Sequence, residues 1–117
     1  MYYTYVLRCR DGSLYTGVAK DMFSRMRDHA RGGKKSAKYT RSHPILRLEA
    51  LWSSRDRREA SRLEERIKRL SKEEKESLVR DGRLLPRLIP EAGKSYVYHP
   101  RASLALFLGE ITLPDLL

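Results

Sequence analysis

The sequence predicts an α+β fold in which at least three strands combine with amphipathic helices. Two strand patterns near the N-terminus, residues 2–9 and 13–18, are separated by the turn dipeptide Asp11-Gly12. A third strand pattern, residues 45–52, is followed by helical spacings of apolar residues. The chain of 117 residues is long enough to bury one hydrophobic core.

The geometry of the first hairpin decides whether two tyrosines can share a site. Asp-Gly between aromatic and β-branched runs is a strong hairpin signal. Because side chains alternate along a strand, a plain two-residue loop would place Tyr5 and Tyr15 on opposite faces. A three-residue loop, or a bulge at Gly12, would unite them on one face. We expect the odd loop or the bulge, and a flat two-residue turn would contradict a shared site.

The first strand is predicted to lie in the centre of the sheet. Both alternating sets of residues 2–9 are apolar or aromatic, which is typical of a strand covered on both faces. Cys9, the lone cysteine, is expected in the core, and it can form neither an intrachain disulfide nor a cysteine-based zinc site. Gly17 closes the second strand, where the missing Cβ lets backbone or ligand come close.

Residues 21–31 are predicted to form the first helix, with Asp21 as N-cap and a glycine pair at its end. Arg25 and His29 are four residues apart, so they share a face beside the buried stripe. They would point a permanent cation and a proton-transferring or hydrogen-bonding ring the same way. The alternative is an exposed arginine and a half-buried histidine. The predicted buried stripe comprises Met22, Met26 and Ala30.

Residues 32–44 contain Gly, Ser and Pro and predict a loop. Its cations can neutralise phosphates, and its tyrosine can stack on a base. The alternative is a solvated, mobile, basic loop. The candidate nucleic-acid contacts in this segment are Lys34, Lys35, Lys38, Tyr39 and Arg41.

The third strand and second helix complete the predicted core. In residues 45–52 apolar and polar positions alternate, which predicts one buried and one wetter face. In the second helix, residues 56–70, Glu64 lies on the flank of the apolar stripe, where a carboxylate can face a cleft. The alternative for Glu64 is an ion pair with Lys68 at i+4. The apolar positions are Leu46, Leu48, Ala50 and Trp52 in the strand, and Ala60, Leu63, Ile67 and Leu70 in the helix.

Residues 72–80 are predicted to form a third helix, because Ser71 and Glu74 make a capping-box pattern. We therefore divide the chain into a main domain, residues 1–81, and a C-terminal extension, residues 82–117. The extension is punctuated by prolines, and residues 96–98 could add a strand. Periodicity leaves residues 102–108 open between helix and strand. We expect the extension to pack on the main domain or on a partner chain, with a homodimer as one possibility.

The net charge of +10 indicates an anionic partner, with nucleic acid first, although charge can also serve solubility alone. The extension holds four basic and three acidic residues, so nearly all the excess belongs to residues 1–81. Neither a signal peptide nor a membrane-spanning apolar run is present. We expect a reducing cytoplasmic location and no membrane partner.

Four motifs in order resemble those of the GIY-YIG nuclease family. They are Y-T-Y at residues 3–5, Y-T-G at residues 15–17, Arg25-x-x-x-His29, and Leu63-Glu64-x-x-Ile67-Lys68. The resemblance covers roughly residues 1–80 and is closest to the small single-domain branch, where L-Y-T-G-V is followed by K-Y-T-R and E-x-x-I-K. Each motif is weak alone, but their joint order and spacing are specific.

The resemblance implies a small sheet of three antiparallel strands flanked by helices, and a hydrolase that uses one divalent metal, Mg²⁺ or Mn²⁺. Tyr15 matches the tyrosine that helps to deprotonate the attacking water, and Arg25 matches the arginine that holds the scissile phosphate. His29 matches a position that assists the nucleophile or the phosphate. Glu64 matches the metal-binding carboxylate, a hard oxygen ligand suited to these ions.

Two further residues match the family's motifs. Tyr5 corresponds to the first-motif tyrosine, which shapes and hydrogen-bonds the site, and Gly17 corresponds to the motif glycine. The sequence also departs from the family pattern. Tyr3 and Thr16 replace the first glycine and the central isoleucine, and Val18 stands where many members carry a cation.

The expected function is a metal-dependent endonuclease of DNA repair or recombination type, selective for DNA structure. Lys68 and the basic loop would contact the backbone, so sequence selectivity would be weak. The alternative is a non-catalytic nucleic-acid-binding module. Chemistry needs Glu64 and simple phosphate binding does not, so mutation of that residue separates the two hypotheses.

Overall fold

An antiparallel sheet lies between two layers of helices in the computed structural model of the protein, which describes residues 1–110. The predicted α+β class is confirmed. Within the described residues the sheet has four strands instead of three, in the order β2-β1-β3-β4. The strands are β1 (Tyr2–Cys9), β2 (Leu14–Ala19), β3 (Ile45–Ser54) and β4 (Val97–Tyr98). The α-helices are α1 (Met22–Arg31), α2 (Lys38–Ser42), α3 (Arg57–Arg69), α4 (Lys72–Arg80), α5 (Leu85–Leu88) and α6 (Leu104–Phe107).

The first hairpin has the predicted odd loop. Cys9 donates its backbone N–H to the carbonyl of Ser13 at 2.9 Å, which leaves three residues in the loop. Gly12 has a φ of +89°, a left-handed conformation that glycine adopts without strain. In the resulting register Tyr5 faces Gly17 and Leu7 faces Tyr15. Both tyrosines therefore lie on one face of the sheet.

Each face of the central strand β1 packs into its own core. Val6 joins Trp52 of β3 and Leu63 of α3 on one face. Tyr5 joins Met26 of α1 and residues of α6 on the other. A strand covered on both sides must be apolar on both sides, and this is the pattern of residues 2–9. Cys9 is buried, as expected.

Leu48, Ala50 and Trp52 of β3 are buried as predicted, but they do not share one face of the sheet, because the strand contains a bulge. Leu7 of β1 pairs with Leu48, whereas Val6 pairs with Ala50, so Glu49 is an extra residue in β3. Because of the extra residue, the alternation of side chains between the two faces changes phase at the bulge. Leu48 therefore faces the α1 core, whereas Ala50 faces the α3 core. A second register shift falls at Leu46, which is 48% exposed and not buried as predicted.

The predicted helix boundaries of α1, α3 and α4 are confirmed to within one residue. Asp21, Asp56 and Ser71 cap the three N-termini, and Ser71 with Glu74 completes the capping box. In α1 the third buried residue is His29, while Ala30 is exposed. Two turns of a helix with 3.6 residues per turn span about 7.2 residues, so a residue seven positions after Met22 lies closer to the buried face than a residue eight positions after it.

Two segments differ from the predicted loop and extension. Residues 32–44 contain the short helix α2 and are not all loop. The helix has only five residues and few apolar positions, so the sequence contains no helical periodicity that would predict it. In the extension, Leu85, Ile89 and Ala92 belong to the same core as Trp52 and Leu63. Residues 82–110 thus pack on the main domain in this structure. The division at residue 81 remains a proposal.

We expect Ile89→Ala to lower the free energy of unfolding by about 2–4 kcal/mol, the usual cost of deleting a buried aliphatic side chain. Ile89 is 2% exposed and packs with the main-domain core. The matched control is Val97→Ala, because Val97 is mostly exposed. Urea unfolding followed by tryptophan fluorescence measures both. Equal small losses would mean that the extension adds little to the core.

Candidate active site at the edge of the sheet

A buried chain of hydrogen bonds fixes the ring of Tyr5. Its hydroxyl lies 2.7 Å from Nε2 of His29, and Nδ1 of His29 lies 2.8 Å from Oγ1 of Thr40. The Thr40 hydroxyl donates to the carbonyl of Ala37, so its oxygen accepts the Nδ1 proton. His29 is therefore the neutral Nδ1–H tautomer, and Tyr5 donates its hydroxyl proton to Nε2.

His29 is only 2% exposed, so it does not face the substrate side with Arg25 as expected. Burial, aided by the nearby Arg25 cation and weakly opposed by Asp28, lowers the pKa of His29 to about 4. Burial also raises the pKa of Tyr5 above its ordinary value, against the adjacent Arg25. Both rings stay neutral near pH 7. His29 acts here on Tyr5 and Thr40, and its assistance to a nucleophile or phosphate remains a proposal.

The depressed pKa makes stability depend on pH. As pH falls below the unfolded value of about 6.5, the unfolded chain protonates His29 while the folded chain resists until about pH 4. Stability present above pH 6.5 is therefore lost on acidification. We expect wild type to lose about 2–3 kcal/mol more than His29→Gln between pH 7 and pH 4, by urea unfolding at each pH. Parallel pH profiles would show that the ring titrates normally.

Gly17 makes room for the Tyr5 ring and not, in this structure, for a ligand. A Cβ at position 17 would lie 2.5 Å from the Tyr5 hydroxyl oxygen and 3.0 Å from the Tyr15 ring. Tyr5 packs tilted against Tyr15 at 6.3 Å between ring centroids. The glycine thus allows the two tyrosines to sit side by side across strands β1 and β2. Its assignment as a nucleic-acid contact remains a proposal.

Arg25 and Tyr39 tie the basic segment to these tyrosines. Arg25 lies beside the Tyr5 hydroxyl and donates to the Lys35 carbonyl at 2.6 Å. Its side chain is half-buried, contrary to the simple exposed alternative. Tyr39 stacks on Tyr15 at 5.9 Å and on His43 at 3.9 Å. Because these two rings stack on Tyr39, it supports Tyr15 and is poorly placed for the base stacking that we predicted.

A cleft of about 420 Å³ opens where the edge strand β2 meets helix α3. Tyr15 and Glu64 both line it, although they arise from opposite faces of the sheet. The carboxylate of Glu64 is 27% exposed and lies 3.6 Å from Nζ of Lys68, so the predicted alternative ion pair is present as well. An exposed i,i+4 pair of this kind contributes at most a fraction of a kcal/mol, roughly 0.3–0.5, and leaves the carboxylate open to other partners.

Glu64 fits a divalent ion that keeps most of its water. Residues 1–110 contain no cluster of three or more His, Cys, Asp or Glu side chains that could enclose a metal. Mg²⁺ commonly binds through one or two carboxylates, with water and substrate oxygens completing the octahedron. Glu64 can supply one hard oxygen in the cleft, and Mn²⁺ accepts the same ligands.

The cleft also contains cations that sequence reasoning missed. Lys20 and Arg57 line it together with Glu64. Lys20 lies one residue beyond the end of β2 and two residues beyond Val18, and both line the cleft, so the cleft contains a cation although position 18 supplies none. The spacing of two residues between Val18 and Lys20 was the feature of the sequence that could have indicated Lys20. No feature of the sequence indicated Arg57, which lies in the first turn of α3.

The predicted basic contacts lie on the surface around the site. Their side chains are exposed and accessible to a phosphate backbone. α2 carries two of them and is held through Thr40 and Tyr39. Their assignment as nucleic-acid contacts remains a proposal. The residues are Lys34, Lys35, Lys38, Arg41 and Lys68.

Comparison with known proteins defines the class to which this fold and site belong. Residues 1–77 match the family model described as the GIY-YIG catalytic domain. The chain therefore belongs to the GIY-YIG family, as the resemblance of its motifs implied. The family consists generally of endonucleases that act on nucleic acid, typically with divalent metal ions.

The more similar relatives are UPF0213 proteins. One from Fusobacterium nucleatum is 45% identical over 78 residues, which cover 67% of this chain and 76% of the relative. One from Desulfotalea psychrophila is 36% identical over 103 residues, covering 88% and 86%, and its match therefore reaches into the extension. The solution NMR structure of UPF0213 protein BH0048 from Bacillus halodurans is 46% identical, covers 68% of this chain and 83% of that chain, and has a TM-score of 0.44.

None of the helices in residues 1–110 has both the length and the apolar character needed to cross a membrane.

Proposed function

We propose that the protein is a divalent-metal-dependent endonuclease that hydrolyses phosphodiester bonds of DNA and selects branched or otherwise structured DNA of the repair or recombination type. One observation carries the proposal. A single cleft at the edge of the sheet combines a tyrosine, a carboxylate and two cations, namely Tyr15, Glu64, Lys20 and Arg57. These groups can orient water, hold a divalent ion and stabilise the charge that develops in phosphodiester hydrolysis.

The reaction builds negative charge on the phosphoryl and leaving oxygens. A Mg²⁺ or Mn²⁺ ion on Glu64 would stabilise that charge and orient the reactants when bound. Lys20 and Arg57 bind the phosphate oxygens in the cleft, and Arg25 adds a fixed cation beside Tyr5. The Tyr15 hydroxyl hydrogen-bonds the attacking water and orients it. To act as the base, Tyr15 first releases its own proton to solvent, and its phenolate oxygen then accepts the proton of the water.

Tyr5 and His29 act as positioning residues in this scheme. Tyr5 is fully buried and packs against Tyr15, while His29 packs edge-on against Tyr15 at 5.5 Å. The hydrogen bond from Tyr5 to His29 fixes both rings. They hold Tyr15 in place at the cleft, and a preorganised group loses no energy to reorganisation during the reaction.

The surface cations would bind the phosphate backbone without reading the bases. Such binding releases counterions and weakens as salt rises. It fixes the protein on DNA but carries little sequence information. DNA shape, and not base sequence, is therefore the expected basis of selectivity.

The test is cleavage of labelled single-stranded, duplex and branched DNA by the full chain in Mg²⁺, in Mn²⁺ and in EDTA. We expect metal-dependent cleavage, highest on branched DNA. Wild type is compared with Glu64→Ala and Arg25→Ala. Loss of cleavage in both variants supports the proposed site. Salt-sensitive binding without cleavage of any substrate would contradict the nuclease.

The second candidate is a non-catalytic nucleic-acid-binding module. The ion pair between Glu64 and Lys68 favours it, because a carboxylate neutralised by lysine has a structural use without a metal. A binding module would retain its DNA affinity in Glu64→Ala and would gain no activity from either metal.

We expect Lys20→Ala to lower kcat/KM for metal-dependent cleavage by about 10–100-fold, because it removes a cation from the cleft that contains Glu64. The matched control is Lys94→Ala, an exposed lysine in the extension with the same charge change. Steady-state cleavage of one branched substrate measures both. If both variants lose the same amount, Lys20 contributes only to net charge.

A further inference from the structure

A second cleft, of about 730 Å³, lies next to the candidate active site and is larger and more apolar. Its walls come from β1, the start of α1 and residues 99–107 of the extension. The volume is in the usual range for sites that bind small organic groups, roughly 300–1,000 Å³. The proposed hydrolysis at Glu64 makes no use of it.

Aromatic rings line this cleft on two sides. Phe23 of α1 is 52% exposed and meets Phe107 of α6 edge to face at 5.0 Å between ring centroids. Tyr3 and His99 lie on another side, with their rings 6.4 Å apart. The contact of an exposed phenylalanine ring with water is unfavourable, and a flat ligand that stacks on the ring would remove that contact.

Lys20 joins the two clefts, because it lines both of them. A phosphate bound by Lys20 would therefore have the carboxylate of Glu64 on one side and the aromatic cleft on the other. In a nucleic acid strand, the group attached next to a phosphate is a nucleoside. The spatial order of the two clefts matches this covalent order.

The charges around the aromatic cleft favour the same kind of ligand. Lys20 and Arg101 both line it, and Arg101 is exposed. Among residues 1–110, Asp21 is the one acidic residue that lines the cleft; it accepts a hydrogen bond from the backbone N–H of Ser24 and caps α1. Two cations beside a flat apolar surface are the usual features of single-strand binding, in which phosphates meet cations and bases stack on aromatic rings.

We propose that the aromatic cleft binds an unpaired nucleobase of the DNA strand, next to the phosphate that is cleaved. The inference rests on the proposed nuclease function and specifies its substrate class. A base inside a duplex is paired and stacked and cannot enter, whereas an unpaired base at a junction or flap can. The protein thereby prefers DNA with unpaired nucleotides at the cleavage site.

The test measures binding of two fluorescent probes in EDTA, so that cleavage does not interfere. Both probes are the same duplex with a three-nucleotide single-stranded tail. The tail carries thymine bases in one probe and abasic residues in the other. Phosphate charge is equal, so only the bases differ. We expect wild type to bind the thymine tail about tenfold more tightly, the usual worth of one stacked base.

The variants assign the difference to the cleft. Phe23→Ala should bring the two affinities within about twofold by weakening only the thymine probe, and Phe23→Trp should restore the difference. Leu46→Ala is the matched control, because it also removes a half-exposed apolar side chain but lies outside the cleft lining. Equal wild-type affinity for both probes would overturn the inference, and so would an equal loss for both probes in Phe23→Ala.

Self-association is the competing use of this surface, because the extension supplies one wall. Sedimentation of wild type and Phe23→Ala tests it. A dimer that Phe23→Ala dissociates, together with equal probe affinities, would assign the cleft to a second copy of the chain. Cleavage in Mg²⁺ separates this inference from the nuclease itself. Discrimination of probes without Glu64-dependent cleavage supports the base site alone, and cleavage without discrimination supports the nuclease alone.

Discussion

Glu64→Gln is expected to lower metal-dependent cleavage by at least about 10³-fold while DNA affinity changes less than about threefold. The amide keeps the size of the side chain and removes the charge that would hold the ion. In the proposed function the DNA backbone would be bound mainly by lysine and arginine side chains that are exposed elsewhere on the surface. Single-turnover cleavage and fluorescence anisotropy on one branched substrate measure the two quantities.

The control for this variant is Glu65→Gln. Glu65 is the next residue on α3, is more exposed, and pairs with Arg69 on the surface. It should cleave at nearly the wild-type rate. If Glu64→Gln cleaves as well as Glu65→Gln, the metal is not held by this carboxylate and the proposed site is wrong. A rescue of Glu64→Gln by raising Mn²⁺ into the millimolar range would strengthen the assignment.

Gly17→Ala is expected to lower both stability and cleavage by displacing a buried side chain of the candidate site. The new Cβ would lie 2.5 Å from the Tyr5 hydroxyl oxygen, and the whole Tyr5 ring is buried and cannot swing into solvent. Displacing the ring breaks its hydrogen bond to His29 and moves Tyr15. We expect a stability loss of about 1–3 kcal/mol, as for other overpacked cores, and a fall in cleavage of about 100-fold.

Gly33→Ala provides the comparison, because no atom of residues 1–110, apart from its own chain neighbours, lies within 4 Å of a Cβ built there, and its backbone does not have a positive φ. That variant should unfold and cleave like wild type. Urea unfolding and cleavage under conditions where both proteins are folded give the two numbers. Wild-type activity in Gly17→Ala would show that Tyr5 does not need its present position.

Local chemistry made the hairpin predictable. The Asp-Gly dipeptide restricts the loop to a few geometries, and the requirement that Tyr5 and Tyr15 share a face selected the odd loop. The helix ends were predictable for the same reason, because Asp21 and Ser71 cap by contacts within one turn. These signals lie within a few residues of the structure that they specify.

The bulge at Glu49 could not be predicted, because its cause lies elsewhere in the chain. Arg8 of β1 donates to Glu49 at 2.9 Å and also to Glu76 of α4. This pair of contacts places Glu49 towards α4, and it exists only once three distant segments have met. The alternation of apolar and polar residues within residues 45–52 does not indicate these contacts, so it could not predict the bulge.

The same reasoning applies to the site. Its family motifs indicated the principal residues, but a motif does not state which of them face solvent. The burial of His29 depends on Thr40, and the half-buried position of Tyr39 depends on its stacking with Tyr15 and His43. Lys20 was overlooked because its position in the cleft with Glu64 depends on contact between distant parts of the chain. The packing of the extension was overlooked because its core residues lie far along the chain.

The helix α2 has consequences for how a substrate would be recognised. One side of this five-residue helix carries exposed Lys38 and Arg41, and the other holds Thr40 against His29. Tyr39, in the same turn, leans on Tyr15. If Lys38 and Arg41 bind the DNA backbone as proposed, one short helix would both contact the substrate and support the two tyrosines. DNA bound away from α2 would then leave that support unchanged.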